Sequence, residues 1–283
     1  MIPMKIILPD KKYLGPCQGI RRATERCLAI KNKNDFVIYG EIAHNLALCD
    51  RLKKEGFAVV DSLKDLDRKK VIIRPHGISQ KDQRTLKKGA GHIDLTCPFV
   101  KNLLNKSLRL ECDGYQIIII GDSEHVEIKN VRSFLKNAVV VEKSSEVMEI
   151  TKIRKAAVLT QTTQTLEKIN KILPLIKKRV GEMLFVSTRC DETDERQKEA
   201  RKLSENADLI LVVGDKTSEN ANNLVKVARE KSRSELVGNA KGLAKILRNM
   251  HHISNLNVGA IASASTPTFV VDEVIKCLKK KTF

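Results

Sequence analysis

The chain has 283 residues, 42% of them hydrophobic, and a formal net charge of +18. This length and composition allow a buried core and about two domains, and no stretch reaches the ~20 apolar residues of a membrane-spanning helix. The 4% aromatic content and the absence of Trp argue against a stacking platform for single-stranded nucleic acid. The positive charge is typical of solvated lysine-rich surfaces, or of a surface that attracts an acidic protein or an anionic substrate.

Short runs rich in Val and Ile alternate along the chain with longer amphipathic stretches. The runs predict β-strands at about 4–9, 35–40, 70–75, 92–97, 115–121, 138–142, 156–161, 183–188, 208–214, 234–238 and 258–263. Helical periodicity lies between them, as in LEKINKILPLIKKRV (166–180) and ERQKEARKLSENA (195–207). The alternation predicts an α/β fold with mostly parallel sheets that helices cover on both faces.

Polar and reactive side chains follow most of these predicted strands. Examples are RPHG (74–77), DLTCP (94–98), GDSEHVE (121–127) and TQTT (160–163). Because parallel strands bring their carboxyl ends to one edge of a sheet, these side chains are expected to meet there. The sequence therefore predicts a ligand site at the carboxyl edge of the sheets.

Three of the seven cysteines end an apolar run, each in a different third of the chain: Cys17, Cys97 and Cys190. This rhythm predicts three pseudo-symmetric α/β lobes, at 10–97, 98–190 and 191–283, with the strand at 1–9 joined to the third. Three thiolates that converge would form a soft, incomplete ligand set. Such a set suits an iron–sulfur cluster with one iron open to a substrate.

Buried thiols, and a zinc site with a fourth ligand, are the alternatives for these three cysteines. Zinc sites usually contain a C-x2-4-C pair, which is absent here. The other four cysteines lie in helical patterns and are interpreted as small buried side chains: Cys27, Cys49, Cys112 and Cys277. The N-terminal MIPMKIILPDKKY lacks the features of a signal peptide, so we expect reduced thiols and a cytoplasmic location.

Three histidines also follow predicted strands, and a carboxylate accompanies one of them. The histidines are His44 in GEIAHN, His76 in RPHG and His125 in DSEHVE. Imidazoles at such positions can bind phosphate oxygens or relay protons, although a lone histidine is more often an ordinary polar residue. Glu127 stands two residues after His125, and an extended backbone would point both side chains the same way. Glu127 is therefore a candidate proton donor, with an ordinary surface carboxylate as the alternative.

Hydroxyl and amide side chains form a further set at strand ends. They lie in TQTT (160–163), TSEN (217–220) and SAST (263–266), and include Thr162, Thr163, Ser218, Asn220 and Ser265. Such residues are ordinary N-caps when a helix follows, and they also leave backbone N–H groups that bind phosphate. No GxxxxGK[ST] and no GxGxxG motif follows a strand, so neither type of nucleotide-binding fold is supported.

Nine segments, taken in chain order, resemble motifs of the LytB/IspH family, the 4-hydroxy-3-methylbut-2-enyl diphosphate reductases. They are GPCQGIRRATE, GEIAHN, RPHG, DLTCPFVKN, HVE, TQTT, TRCDETDERQ, GDKTSENANNL and ASASTP. The resemblance extends over about residues 5–280. One segment alone would carry little weight, whereas nine in the family's order are a specific signal.

The resemblance implies a three-lobed α/β fold around a central [4Fe–4S] cluster, to which each lobe contributes one cysteine. Cys17, Cys97 and Cys190 fall on the three ligand positions. A further set of residues matches positions of the family that bind the diphosphate: His44, His76, Ser218, Asn220 and Ser265.

The same resemblance assigns chemical roles to four other residues. Glu127 matches the carboxylate that supplies protons, and His125 matches another histidine of the substrate site. Thr162 and Thr163 match a threonine pair, of which the second helps to order the substrate hydroxyl. The implied reaction removes the hydroxyl of an allylic diphosphate and gives isopentenyl and dimethylallyl diphosphates. Ferredoxin or flavodoxin would deliver the two electrons one at a time, and neither a membrane nor a nucleic acid is an expected partner.

The sequence departs from the family's motifs at three positions. Pro16 stands where the family has Phe, Val126 where it usually has Pro, and Glu219 replaces a serine beside the diphosphate. A carboxylate within ~4 Å of a phosphate would cost about 1–4 kcal/mol. Glu219 therefore either turns outward, where the helix dipole favours it, or marks a member that reduces a different substrate. Two functions outside the family also compete with it: a basic nucleic-acid-binding module, and a zinc hydrolase with Cys and His ligands.

Overall fold

The structure is a computed structural model that describes residues 4–64, 66, 68–89, 91–151, 153–248, 250 and 256–280. The strands in this part of the chain are β1 (Lys5–Ile7), β2 (Phe36–Tyr39), β3 (Ala58–Val60), β4 (Lys70–Ile73), β5 (His92–Asp94), β6 (Gln116–Ile120), β7 (Val139–Val141), β8 (Ile153–Thr160), β9 (Val180–Val186), β10 (Leu209–Val213), β11 (Arg233–Val237) and β12 (Asn257–Ala262). The helices are α1 (Gln18–Leu28), α2 (Leu46–Lys54), α3 (Gln80–Leu86), α4 (Pro98–Cys112), α5 (Val126–Arg132), α6 (Leu166–Lys177), α7 (Asp191–Ser204), α8 (Glu219–Ala228), α9 (Ala240–Arg248) and α10 (Thr268–Lys280).

The described strands form three four-stranded sheets in which paired strands run parallel. Their orders are β1-β12-β10-β11, β3-β2-β4-β5 and β7-β6-β8-β9. The three sheets share one strand order. When the four strands of a sheet are numbered 1 to 4, their order across the sheet is 2-1-3-4, so strand 1 lies between strands 2 and 3, and strand 4 lies beyond strand 3. In the set that begins with β10, the N-terminal strand β1 is the fourth member. The predicted α/β fold with mostly parallel sheets is confirmed.

The chain divides into two compact units. The first unit comprises Met1–Asn34, Glu41–Ala58 and Asp191–Phe283, and the second comprises Asp35–Gly40 and Val59–Cys190. The sheet that contains β10 belongs to the first unit, and the second unit holds the sheets built on β4 and β8. The three lobes at 10–97, 98–190 and 191–283 stay a prediction.

Helices cover both faces of β10 in the first unit and of β6 in the second. Because neighbouring side chains on a strand point to opposite faces, Leu211 of β10 packs with α9 and α10, while Val212 packs with α7 and α8. In the second unit Ile119 of β6 packs with α4 and α5, and Ile118 packs with α6. All four side chains are fully buried. This two-sided burial explains why the strands are continuous apolar runs, and truncating Ile119 to Ala would cost about 2–5 kcal/mol.

Three sequence-based expectations need correction. The strand β3 was missed, because its three side chains are exposed or half-buried and give no apolar run. The helix α7 begins at Asp191 and not at residue 195, since the acidic residues that follow Cys190 form its first turn, where the helix dipole favours them. Cys112 is exposed at the end of α4 and is not a buried side chain. None of the described helices is long and apolar enough to cross a membrane.

Candidate active site

Each of the three candidate ligand cysteines lies directly before a helix. Cys17 precedes α1, Cys97 precedes α4 and Cys190 precedes α7, and all three are half-buried. Pro98 at the first position of α4 favours the helix start, because its φ is already helical and this position needs no N–H. The positive end of a helix dipole favours an anionic sulfur. The local setting of all three side chains therefore suits metal ligands.

The backbone holds the three cysteines in the same way. Each cysteine follows an edge strand, and its N–H donates a hydrogen bond to a carbonyl in the loop after the neighbouring interior strand. The bonds run from Cys17 to Ala264 beyond β12 (2.9 Å), from Cys97 to Pro75 beyond β4 (2.9 Å), and from Cys190 to Thr162 beyond β8 (2.8 Å). The position of each cysteine is thus set by two adjacent parallel strands of its own sheet.

Convergence of the three cysteines stays a prediction. Cys17 belongs to the first unit, and Cys97 and Cys190 belong to the second. Among the described residues no group of three or more His, Cys, Asp or Glu side chains is arranged to hold a metal ion. Two other cysteines suit a structural role, since burial raises the pKa of Cys27 to about 12 and that of Cys49 to about 11. Such thiols resist the ionisation that a metal ligand needs.

Glu127 is buried in the second unit, in the first turn of α5, with 2% of its surface exposed. Its Oε1 accepts a hydrogen bond from the Thr162 N–H at 2.9 Å, and its Oε2 accepts one from the Thr162 hydroxyl at 2.7 Å. Burial raises the pKa of Glu127, because desolvation outweighs these hydrogen bonds and the charge of His125, which lower it. The carbonyl of Thr162 also accepts the Cys190 N–H. One threonine therefore connects a buried acid to a candidate ligand.

His76, His125 and Glu127 lie together in the second unit. The backbone is helical from Val126 onward and not extended, and His125 caps this helix by accepting the Glu127 N–H on Nδ1 at 3.2 Å. The rings of His76 and His125 are edge-to-face, with centroids 5.7 Å apart and planes at 79°. Asn130 of α5 donates to the His76 carbonyl at 3.1 Å. The helix α5 thus organises all three side chains.

Thr163 is half-buried beside Thr162, and its hydroxyl accepts a hydrogen bond from Gln161 Nε2 at 3.1 Å. The other end of the same amide, Gln161 Oε1, accepts the Asp122 N–H at 2.9 Å. Gln161 therefore links the loops that follow β6 and β8. Sequence analysis missed this residue although it stands inside TQTT, because its role depends on a partner 39 residues away.

In the first unit, hydroxyl groups after β10 and β12 form a connected network. Ser265 Oγ donates to Ser218 Oγ at 3.2 Å, and Ser263 Oγ lies 3.4 Å from Ser265 Oγ and 2.9 Å from Thr266 Oγ1. Gly214 lies against one end of this network, since a Cβ there would lie 2.7 Å from Ala221 Cβ and 3.0 Å from Ser263 Oγ. The structure therefore brings the predicted residues Ser218 and Ser265 together.

His44 and Asn220 lie in the same unit as this network. His44 is exposed in the loop before α2, with its Nδ1 3.6 Å from the Glu41 carboxylate. The Leu46 N–H at the start of α2 donates to Asp215 Oδ2 at 3.2 Å, which ties this loop to the loop after β10. Asn220 is half-buried in the first turn of α8. The predicted diphosphate residues of the first unit thus all lie at carboxyl ends of strands or in the helix starts that follow.

Arg196 of α7 is a buried charge, 2% exposed, that sequence analysis did not select. Its Nη1 donates to the Ala262 carbonyl at the end of β12 at 2.7 Å, and its Nη2 donates to the Lys12 carbonyl at 3.3 Å. Glu192 balances the charge at 2.6 Å. Arg196 therefore fixes the end of β12 and the segment before Cys17. Its place inside TRCDETDERQ was the available signal.

Comparison with known proteins gives a family for the chain. The sequence profile of the LytB protein family matches residues 8–279. A 4-hydroxy-3-methylbut-2-enyl diphosphate reductase of Thermoanaerobacter sp. (strain X514) is 35% identical over 286 residues, which cover 98% of this chain and 97% of that protein.

Two solved structures are similar as well. One is an (E)-4-hydroxy-3-methyl-but-2-enyl diphosphate reductase, the terminal enzyme of the non-mevalonate pathway. Its sequence is 27% identical and its TM-score is 0.76, and the match covers 98% of this chain and 99% of that chain. The other is the E-1-hydroxy-2-methyl-but-2-enyl-4-diphosphate reductase from Plasmodium falciparum, with 26% identity, a TM-score of 0.85, and coverage of 100% of this chain and 90% of that chain. The chain therefore belongs to the LytB family, as its sequence motifs predict.

Proposed function

We propose that this chain is a 4-hydroxy-3-methylbut-2-enyl diphosphate reductase, an oxidoreductase of isoprenoid biosynthesis. It would remove the allylic hydroxyl of that substrate and give isopentenyl and dimethylallyl diphosphates. Membership of the LytB family, with a relative of this name that matches almost the whole chain, supports the reaction. Within the chain, the proposal rests above all on the buried Glu127, which Thr162 holds beside the backbone of Cys190.

The donor set fits one [4Fe–4S] cluster with three cysteine ligands. Cys17, Cys97 and Cys190 offer soft sulfur ligands in three equivalent settings, each half-buried, at a helix start and tied to a loop. Three ligands for four irons leave one iron open to a substrate oxygen. When bound, the cluster would supply the two electrons of the reduction one at a time.

Glu127 would hold the proton that the leaving hydroxyl takes up. Its raised pKa favours the neutral acid, and the carboxylate formed after proton transfer keeps both hydrogen bonds from Thr162. The hydroxyl then leaves as water, and a second proton, taken up with the two electrons at either end of the allylic group, gives the two products. Thr163, next in the chain, would orient the hydroxyl, and His125 would complete the substrate site beside Glu127, whose N–H its Nδ1 accepts at the start of α5.

The diphosphate would bind to His44, His76, Ser218, Asn220 and Ser265, which match the family's positions. In the first unit the support is the hydroxyl pair of Ser218 and Ser265 at the start of α8, where the backbone N–H groups and the helix dipole favour an anion. The net charge of +18 would attract a diphosphate from solution.

Glu219 motivates the alternative of a related reductase that acts on a different substrate. It is the first residue of α8, and its side chain lies outside the described part of the chain. Comparing unmodified protein with Glu219→Ser separates the two functions. Slow turnover that rises in Glu219→Ser would favour the alternative, whereas equal turnover would favour the proposed substrate.

Oxygen-free purification followed by turnover of the hydroxy-diphosphate tests the proposal. Reduced methyl viologen serves as electron source, because the natural donor, proposed to be ferredoxin or flavodoxin, is not needed for this measurement. We expect about four irons per chain, formation of both products, and loss of turnover by about 100-fold or more in Glu127→Gln with iron and substrate binding retained. A colourless protein that contains zinc, or normal turnover by Glu127→Gln, would contradict the proposal.

A further inference from the structure

A basic groove lies on the second unit, outside the residues assigned to the reaction. Its volume is about 420 Å³, and it is lined by Gln80, Lys81, Arg84, Thr85, Lys88 and Ser133. We name it the α3 groove. The three cations on its wall are exposed, and none of them forms an ion pair with another described residue. The groove is thus a local concentration of uncompensated positive charge.

The single acidic residue of α3 does not neutralise the groove. Asp82 accepts hydrogen bonds from Tyr39 at 3.0 Å and from Ser79 at 2.7 Å, and these contacts hold its carboxylate among residues that do not line the groove. On a helix, residues three and four apart share a face, which places Lys81 and Arg84 side by side. Within α3 these two cations are about 4.5 Å apart along the helix axis, at 1.5 Å per residue, and Lys88 follows in the turn after the helix.

The groove is connected to the candidate active site by hydrogen bonds. The Gln80 N–H donates to Ser133 Oγ at 2.8 Å, and Ser133 Oγ donates to the Asn130 carbonyl in α5 at 2.6 Å. Asn130 also holds the His76 loop. Pro75, which accepts the Cys97 N–H, is five residues before Gln80, so a fully extended chain would span at most about 18 Å. An electron carrier at the groove would therefore be near a candidate cluster ligand.

The chemistry of the groove favours an acidic protein over a free phosphate or single-stranded nucleic acid. Two backbone N–H groups in the first turn of α3 are already used, since Gln80 N–H bonds to Ser133 and Asp82 N–H bonds to Ser79. No aromatic side chain lines the groove, whereas single-stranded nucleic acids bind on aromatic platforms. A row of flexible exposed cations suits long-range steering of an anionic protein surface.

We infer that the α3 groove docks the acidic protein that delivers electrons to this reductase. The inference rests on the proposed function, because only a reductase needs such a donor. The groove recognises the donor by charge, and its distance from Pro75 keeps the donor close to Cys97.

The test reverses three charges in the oxygen-free holoprotein, as Lys81→Glu, Arg84→Glu and Lys88→Glu together. The control reverses the charges of Lys241, Lys245 and Arg248 of α9, which are also exposed. Like the groove residues, they are two lysines and one arginine, so both variants change the net charge by the same amount. The donors are a reduced acidic ferredoxin and reduced methyl viologen. Binding of ferredoxin is measured in parallel, at low and high salt.

We expect the groove variant to lower kcat/KM for ferredoxin about 10- to 100-fold, mainly through KM, and to weaken ferredoxin binding. The affinity of the groove variant for ferredoxin should depend less on salt concentration than that of the unmodified protein. Turnover with methyl viologen should stay unchanged, and so should every property of the α9 control. An equal loss in the α9 control, or no loss in the groove variant, overturns the inference. The inference is also overturned if the unmodified protein binds an RNA duplex and the groove variant loses that binding while its kinetics with ferredoxin stay normal.

Two further measurements keep the outcome interpretable. If the unmodified protein does not turn over with methyl viologen, the proposed function fails; the inference is then decided by ferredoxin binding alone, which the groove variant must weaken. If the triple variant folds poorly by circular dichroism, the single changes Lys81→Gln and Lys88→Gln replace it. Each should then raise the KM for ferredoxin, and an unchanged KM in both overturns the inference.

Discussion

Replacing Thr162 by Val should raise the proton affinity of Glu127. The change removes the hydroxyl that donates to Oε2 at 2.7 Å and keeps the backbone N–H that donates to Oε1 at 2.9 Å. A hydrogen bond to a charged group contributes about 1.5–3 kcal/mol, and this bond stabilises the ionised carboxylate. Because desolvation of the buried carboxyl already favours the neutral form, losing the bond should increase its proton affinity about 10- to 150-fold.

Infrared spectra over a pH series would measure this effect through the C=O stretch of the protonated carboxyl. The band of Glu127 is the one that disappears in Glu127→Gln. Thr162→Ser is the matched control, since it keeps the hydroxyl donor and should titrate close to the unmodified protein. The alkaline limb of the pH–rate profile should also move to higher pH in Thr162→Val, because turnover needs the protonated acid. Titration of Glu127 at an unchanged or lower pH in Thr162→Val would refute the reasoning.

Three other predictions concern stability and iron content. The free energy of unfolding of the unmodified protein should fall relative to that of Glu127→Gln as the pH rises above about 4.3, by at most about 1.4 kcal/mol per pH unit. The reason is that Glu127 binds its proton more tightly in the folded protein than in the unfolded chain. Denaturant titrations at several pH values measure the difference. Cys97→Ser should lose the cluster iron, whereas Cys112→Ser, at an exposed position, should keep it; equal iron in both would contradict the ligand assignment. Arg196→Met should lower the free energy of unfolding by about 2–3 kcal/mol, since the Ala262 carbonyl loses a buried donor; an unchanged denaturation midpoint would exclude this role.

The sequence predicts the interior of the fold better than its margins. Every predicted strand corresponds to a strand of the structure, because two-sided burial produces long apolar runs such as the one in β6. The strand β3 was missed because Ala58–Val60 is short and only partly buried. Strand pairing and the division into two units depend on contacts between distant segments, and periodicity contains no information about these.

In the candidate site, too, the sequence predicts individual residues better than the contacts between them. Local motifs identify Cys190, Glu127 and Thr162, since each stands beside a strand end or a helix start. The hydrogen bonds that join them cannot be read from the sequence, because Glu127 and Thr162 are 35 residues apart. Arg196 shows the limit most clearly, since the segment TRCDETDERQ contains it but its burial depends on a contact with Ala262, 66 residues away.

The repeated strand order explains why three cysteines so far apart in sequence are equivalent. Each follows the fourth strand of its set and bonds to the loop after the third. In one set the fourth strand is β1, so Cys17 stands near the N-terminus although its sheet is built mainly from the C-terminal part of the chain. Because backbone hydrogen bonds place each cysteine within its own sheet, folding positions the candidate ligands without requiring a metal. A single Cys→Ser change should therefore remove iron while leaving the sheets intact.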